Sequence, residues 1–250
     1  MFGFNLYLSA KYRVMKKQFV FSLFILNVVG FSSYAQTSLL GAWERMIDDE
    51  TKAVSIVADK YFSVAFYKDQ EFVSTFGGRW ESIADDQVRI HYEWHTAEPE
   101  NVGSSQDISI SVSGDELISD GNSWVRIDDG TPGVLNDAWL MTGRKRDGVG
   151  EMQIREIGPR KTMKILSGTR FQWIAYNSDT GQFSGTGGGT YSTVDGVYTE
   201  NIEFFSRDNS RVGASLPFQY DLQDGGWHHS GKSSRGDPIY EVWSSRSTLE

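Results

Sequence analysis

The chain has no cysteine in 250 residues. That excludes disulfides, a thiolate nucleophile, cysteine-ligated zinc and a lipidated N-terminal cysteine. Only 5 prolines stand beside 26 glycines, so collagen-like and proline-rich disordered chains are excluded as well. Cations are short too, with 24 Lys and Arg against 33 Asp and Glu and a net charge of -9. No basic patch compensates, and because affinity for nucleic acid rests on cations that neutralise phosphates, nucleic acid is not an expected partner. No helical period follows residue 35. The apolar run over residues 19–31 falls short of the roughly 20 residues that span a bilayer, so no stable membrane anchor is expected. Several catalytic motifs are missing: there is no Gly-x-Ser-x-Gly elbow and no His-Glu-x-x-His. The glycine-rich Gly185-Thr186-Gly187-Gly188-Gly189-Thr190 lacks the Lys-Ser/Thr of a phosphate loop, and is better read as a bulge or a site of close backbone approach. No cofactor is expected.

Aromatics are plentiful: 8 Trp, 11 Tyr and 15 Phe, or 14% of the chain, are ample material for a core without covalent staples. At the N-terminus, Met15-Lys16-Lys17, the apolar run and Ser32-Ser33-Tyr34-Ala35-Gln36 have the order of a secretory signal. The reading is a true start at Met15, cleavage after Ala35, and export to a periplasm or the extracellular space. The chain from Gln36 onward carries a net charge of -13, which favours solubility and keeps it from anionic lipid.

The chain repeats itself. Tyr61-Phe62-Ser63-Val64-Ala65-Phe66-Tyr67 aligns with Arg170-Phe171-Gln172-Trp173-Ile174-Ala175-Tyr176 at a shift of 109. Gly77-Gly78-Arg79-Trp80 meets Gly188-Gly189-Thr190-Tyr191, Tyr92-Glu93-Trp94 meets Ile202-Glu203-Phe204, and each copy opens on a tryptophan, Trp43 and Trp139. The copies span residues 37–127 and 134–246, joined by a turn-rich linker over 128–133. Within each copy the apolar period is two, with turn signals every 8 to 12 residues, which predicts consecutive antiparallel strands. In the first copy these fall at 42–46, 53–58, 60–67, 71–80, 87–95, 106–112, 116–119 and 123–127. Eight short strands joined by tight turns fit an up-and-down barrel, which leaves no open edge. The expected fold is all-β, two tandem barrels from an internal duplication, with the second copy separable. One sandwich sharing strands between the copies is the alternative.

Gly41-Ala42-Trp43, the meander and Gly189-Thr190-Tyr191 resemble lipocalin-like proteins in the broad calycin sense. The closer resemblance is to secreted bacterial lipocalin-like domains of uncharacterised function. It is carried by residues 161–243, in particular residues 183–191, Glu203-Phe204-Phe205-Ser206 and Trp227-His228-His229-Ser230-Gly231. The resemblance implies a fold and a pocket, and no reaction.

Comparing the copies shows where polar groups have entered an interior face. Val88, Ile90, Tyr92 and Trp94 share one side of a strand and should face the core. The matching positions are Tyr198, Glu200, Ile202 and Phe204, so Glu200 replaces Ile90 inside. A buried carboxylate needs a partner, a water or a ligand, unless the strand twists it to the rim. Likewise Trp227, His228 and His229 replace Leu117, Ile118 and Ser119. With Trp227 inward, His229 shares its face and His228 points out, although a bulge would exchange them. Phe171, Trp173, Tyr220 and Arg170 lie nearby in the meander, and the expected ligand-binding set is Arg170, Trp173, Glu200, Tyr220, Trp227 and His229. His91, Glu93 and His95 form a weaker candidate for a metal, with ligand types suited to zinc, copper or iron, but on an outward face where a solvated polar surface is the default reading. Arg207 and Arg211, in the loop 206–211, could lid a pocket or grip an anion, and a turn closed by Asp and Asn side chains explains the loop equally well. Three functional readings follow. The first is an exported protein binding a small amphipathic or aromatic ligand in its second barrel, with the first barrel a degenerate scaffold. The second is an enzyme of the same fold using Glu200 and His229 (or His228) as acid and base. The third is a cell-surface structural or assembly partner.

Overall fold

The computed structural model describes residues 39–249. The export signal read over residues 1–35 lies outside the described residues. Strands β1 (Gly41–Met46), β2 (Thr51–Ala58), β3 (Tyr61–Lys68), β4 (Glu71–Ala84), β5 (Gln87–His95), β6 (Ser105–Ser113), β7 (Glu116–Ser119) and β8 (Asn122–Asp128) run in sequence order. Each pairs antiparallel with the next, and β1 closes on β8. The second copy contributes β9 (Asp137–Lys145), β10 (Met152–Ile154), β11 (Arg160–Leu166), β12 (Arg170–Asn177), β13 (Phe183–Val194), β14 (Val197–Phe205), β15 (Ser215–Gln223), β16 (Gly226–Lys232) and β17 (Pro238–Ser245). Here β9 and β17 close an eight-stranded barrel, while β10 is a short flap on the far end of β9. The strands are not shared between copies, so the fold is two closed up-and-down barrels in tandem rather than one sandwich.

Each barrel is filled by the inward half of the period-two pattern. Trp43, Phe62, Trp80, Val88, Ile90 and Leu117 pack the first, and Trp139, Phe171, Tyr198, Ile202, Trp227 and Trp243 the second. The opening tryptophans play the same part in both: Trp43 Nε1 donates to Leu39 O and Trp139 Nε1 to Leu135 O, each at 2.9 Å. The linker is tied down by Asp128, whose carboxylate accepts from Gly168 N at 2.9 Å and from Thr169 Oγ1 at 2.6 Å in the turn between β11 and β12.

Strict alternation places Trp94 and Phe204 inside the barrels, and the structure corrects this. Gly78 pairs with Tyr92 and Gly77 with Trp94, which leaves Glu93 as an extra residue. Gly189 pairs with Ile202 and Gly188 with Phe204, which leaves Glu203. A bulge of one residue exchanges the faces of the strand beyond it. Trp94 and Phe204 therefore leave their barrels and pack between them, while Phe205 turns in against the second core. Gly78 and Gly189, both at φ +156°, make this possible. A Cβ there would lie 2.0 Å from His91 O or Asn201 O.

The residues expelled by the bulges build the contact between barrels. Tyr67 OH donates to Glu203 Oε2 at 2.7 Å, and Tyr176 OH to Glu93 Oε2 at 2.5 Å. Tyr67 stacks on Phe204 with ring centres 5.0 Å apart, Tyr176 meets Trp94 at 4.9 Å, and Phe72 stacks on its counterpart Phe183. Tyr67 and Tyr176 occupy equivalent positions, as do Glu93 and Glu203, so the contact is reciprocal in the manner of an isologous dimer. Gln172 Nε2 at its centre donates to the equivalent hydroxyls Thr75 Oγ1 and Thr186 Oγ1, at 2.9 and 3.0 Å. Arg170 Nη1 lies 2.6 Å from Glu203, and Arg246 Nη2 2.7 Å from Glu93. Burial raises the Glu93 carboxyl, but the bonds from Arg246 and Tyr176 outweigh that and hold it below the usual range. Ile56, Met163, Ile165 and Ile174 are buried alongside, each contributing roughly 1.5–3 kcal/mol.

Candidate functional site

In β11, alternation sends Met163 and Ile165 outward to the contact between barrels and Thr162, Lys164 and Leu166 into the second barrel. Lys164 Nζ sits 2.7 Å from Glu200 Oε1, and both side chains are 6% exposed. The phenol of Tyr198 donates to the same oxygen at 2.9 Å. Burial and the Glu200 charge push the Tyr198 pKa far up, so this phenol remains a donor. Four rings surround the ammonium: Trp227, Tyr198, Trp243 and Phe218, with centres 5.0, 5.1, 5.1 and 5.8 Å away. Taking an ammonium and a carboxylate out of water costs several kcal/mol each, a cost that a buried ion pair repays only with excellent geometry and further hydrogen bonds. A desolvated cation over a ring face gains about 2 kcal/mol, so the aromatic cage and Tyr198 offset what the pair alone would not.

Beside this pair lie His229, 1% exposed, and Glu241. His229 Nδ1 has only a long contact, 3.4 Å, to Glu241 Oε2, while Nε2 makes no hydrogen bond, nor does Trp227 Nε1 behind it. Burial first, and then the Lys164 charge, lowers the His229 pKa, so the imidazole is neutral at neutral pH. Burial raises the Glu241 carboxyl, but His229 and Lys164 outweigh this and lower it.

These groups are the floor of a cavity of 510 Å³ in the second barrel, with walls of Trp173, Ile202, Phe205, Leu216, Phe218 and Trp243. Such a volume and an apolar wall with a few convergent polar groups are those of a small-molecule site. The mouth is framed by Arg207, Arg211 and Arg235. Arg211 Nη1 donates to Ser234 O at 2.6 Å and Nε to Asp208 at 3.0 Å, tying the two mouth loops together. Arg207 donates to Ser184 O and lies 5.7 Å from the ring centre of Trp173. The first barrel holds a smaller cavity of 280 Å³, lined by Phe62, Phe76, Trp80, Val88 and Ile90. Where the second barrel has Lys164, Glu200, His229 and Glu241, the first has Ser55, Ile90, Ser119 and Asn122.

Of the residues singled out from sequence, Trp173, Glu200 and His229 line the cavity. Trp227 is fully buried in the core behind it, and Tyr220 packs against that core without lining the cavity. Arg170 lies elsewhere, at the contact between barrels on Glu203, because the inward face of β12 is carried by its neighbours Phe171 and Trp173. His228 points out of the barrel, with Nδ1 2.8 Å from Tyr240 OH. His91, Glu93 and His95 do not converge. His91 Nδ1 meets Ser105 Oγ, Glu93 is the bulge residue bound to Arg246, and His95 Nδ1 accepts from Glu98 N while its ring stacks on Phe76. Among the described residues no group of three or more His, Cys, Asp or Glu could hold a metal ion. Sequence reasoning missed Lys164 and Glu241. The comparison of copies that exposes Glu200 against Ile90 also exposes Lys164 against Ser55, and the register of Trp227 on Trp243 and Leu117 on Trp124 sets Glu241 against Asn122. No family model matches the chain, and no curated protein matches it.

Proposed function

We propose that this is an exported, lipocalin-like binding protein whose second barrel holds a small amphipathic or aromatic ligand, the first barrel serving as its scaffold. The observation that carries this reading is the buried polar floor of the 510 Å³ cavity, where His229, 1% exposed, has Nε2 unbonded and Nδ1 held only by the long contact to Glu241. A buried polar atom without a partner costs about 1–3 kcal/mol, and the sister barrel has no such group at the equivalent position, where Ser119 is only partly buried. A bound ligand offering a hydrogen-bonding group recovers that cost. Acid–base catalysis is less well supported, since Glu200 Oε1 already accepts from Lys164 and Tyr198.

Native mass spectrometry of the protein purified from its own host tests the reading. The expected spectrum shows one bound small molecule per chain that is lost on denaturation. The same molecule, added back, should raise the melting temperature of the wild type and not of Glu200→Ile. Equal stabilisation of wild type and variant would remove the floor of the second barrel from the binding site.

A further inference from the structure

The charge of this protein is unevenly divided. Residues 39–128 hold 7 Lys and Arg against 18 Asp and Glu, whereas residues 134–249 hold 13 of each. In the second barrel Arg211 and Arg235 are matched by Asp208 and Asp237, but further cations stand beside them. Besides Arg207, Arg211 and Arg235 at the mouth, Arg155, Arg160 and Lys161 line an adjoining recess of 210 Å³ with Arg207, Trp173 and Tyr176. The recess and the main cavity share Thr162, Trp173 and Arg207. Arg155 is exposed, yet its pKa is lowered, first by partial desolvation and then by Arg144, with Arg160 adding to the effect and only Glu241 opposing it. Arg155, Arg160 and Arg207 thus gather like charge around one small recess whose lining holds no carboxylate. The carboxylates of Glu200 and Glu241 lie in the cavity, where an anion would meet like charge.

Resting on the proposal that the second barrel binds a ligand, we infer that this ligand carries an anionic group, a carboxylate, sulfate or phosphate. That group sits outside the cavity on Arg155, Arg160 and Arg207 beside Trp173, while the aromatic or apolar body of the ligand fills the barrel. Guanidinium forks suit such oxyanions, which they bind bidentately. The acidic first barrel and the cations of the recess also orient an approaching anion toward the second barrel.

Two fluorescent probes that differ only in a sulfonate test this: 8-anilinonaphthalene-1-sulfonate and its uncharged parent N-phenyl-1-naphthylamine, titrated into the full chain at low salt. Binding that survives Ile239→Trp, which fills the second cavity, is assigned to the first barrel and subtracted. The expected result is at least tenfold tighter binding of the sulfonate. Added salt should weaken the sulfonate alone, and Arg155→Gln with Arg160→Gln should bring the two affinities together while leaving the neutral probe unchanged. Arg207→Gln should act in the same direction. Equal affinities in the wild type, or an equal loss of both probes in the arginine variants, would overturn the anion site and leave the ligand-binding reading standing. Failure of both probes to bind would overturn that reading and this inference with it. The cations stand in the same segment as the exposed Val149, Ile154 and Ile157, so the anion could arrive as a free molecule or as a lipid headgroup. Phosphatidylglycerol vesicles separate these sources. A chain that binds the sulfonate probe and stays in the supernatant takes a free anion; one that pellets through Arg155 and Arg160 takes the headgroup, and either result keeps the site.

Discussion

Lys164 and Glu200 place buried charge in the second barrel at positions that the first fills with a serine and an isoleucine. Ser55 and Ile90 stand at the same positions in the sister barrel and need no partner, whereas the charged pair relies on Tyr198 and four rings to be tolerated. Replacing only one member leaves a buried charge unpaired, which costs about 3–5 kcal/mol. Lys164→Ser and Glu200→Ile are each expected to lower the unfolding free energy by that amount in urea titrations. The double variant, which restores the residues of the first barrel, should cost less than either single change. Additive losses would mean that the two side chains do not act as a pair. Glu200 was legible in the sequence because an isoleucine stands at the same depth in the other copy. Lys164 carried the same signal, but it sits between Met163 and Ile165, whose apolar side chains suggest that theirs is the inward face. They face the other barrel instead, a surface that the sequence of one copy does not reveal.

The strands were the most legible part of the fold, because period-two patterning and turn residues are local signals. The first copy was expected to have strands at 71–80 and 87–95, and β4 (Glu71–Ala84) and β5 (Gln87–His95) cover them. What the pattern could not show was the bulge at Glu93 and its counterpart at Glu203, where one inserted residue sends Trp94 and Phe204 out and Phe205 in. The Gly77-Gly78 and Gly188-Gly189 pairs were visible, yet a glycine in a strand marks a bulge, a bend or a close approach without choosing among them. Here the choice is made by Asn201 O, 2.0 Å from where a Cβ on Gly189 would lie. Gly189→Ala is therefore expected to destabilise the chain by at least about 2 kcal/mol, since backbone rather than a flexible side chain must yield and the residue sits at positive φ. The denaturation midpoint measures it. Because the bulge also aims Phe205 into the cavity, the variant should weaken ligand binding beyond what its stability accounts for, and intact affinity would show that Phe205 keeps its place without the bulge.

The two barrels meet through a contact whose halves mirror each other: Tyr67 reaches Glu203, Tyr176 reaches Glu93, and Phe72 stacks on Phe183. Sequence reading expected residues 134–246 to stand alone. An isolated second barrel would expose Met163, Ile165, Ile174, Tyr176 and Phe204, an apolar surface of the kind that marks an interface. It would also remove Glu93 from beneath the buried Arg246. A surface built on a two-fold plan is complementary to itself. Two copies can therefore place Tyr176 of one against Glu203 of the partner, and Arg170 beside Glu203 already supplies the cation that this carboxylate needs. Residues 134–249 produced alone are thus expected to form a homodimer at micromolar concentration in sedimentation velocity, while the full chain, its surface already occupied, stays monomeric through this face. Glu203→Lys should abolish the dimer by setting like charge against Arg170. A soluble monomer of residues 134–249 with the stability of the full chain would show instead that the contact is incidental to each barrel and that the duplication joined two independent folds.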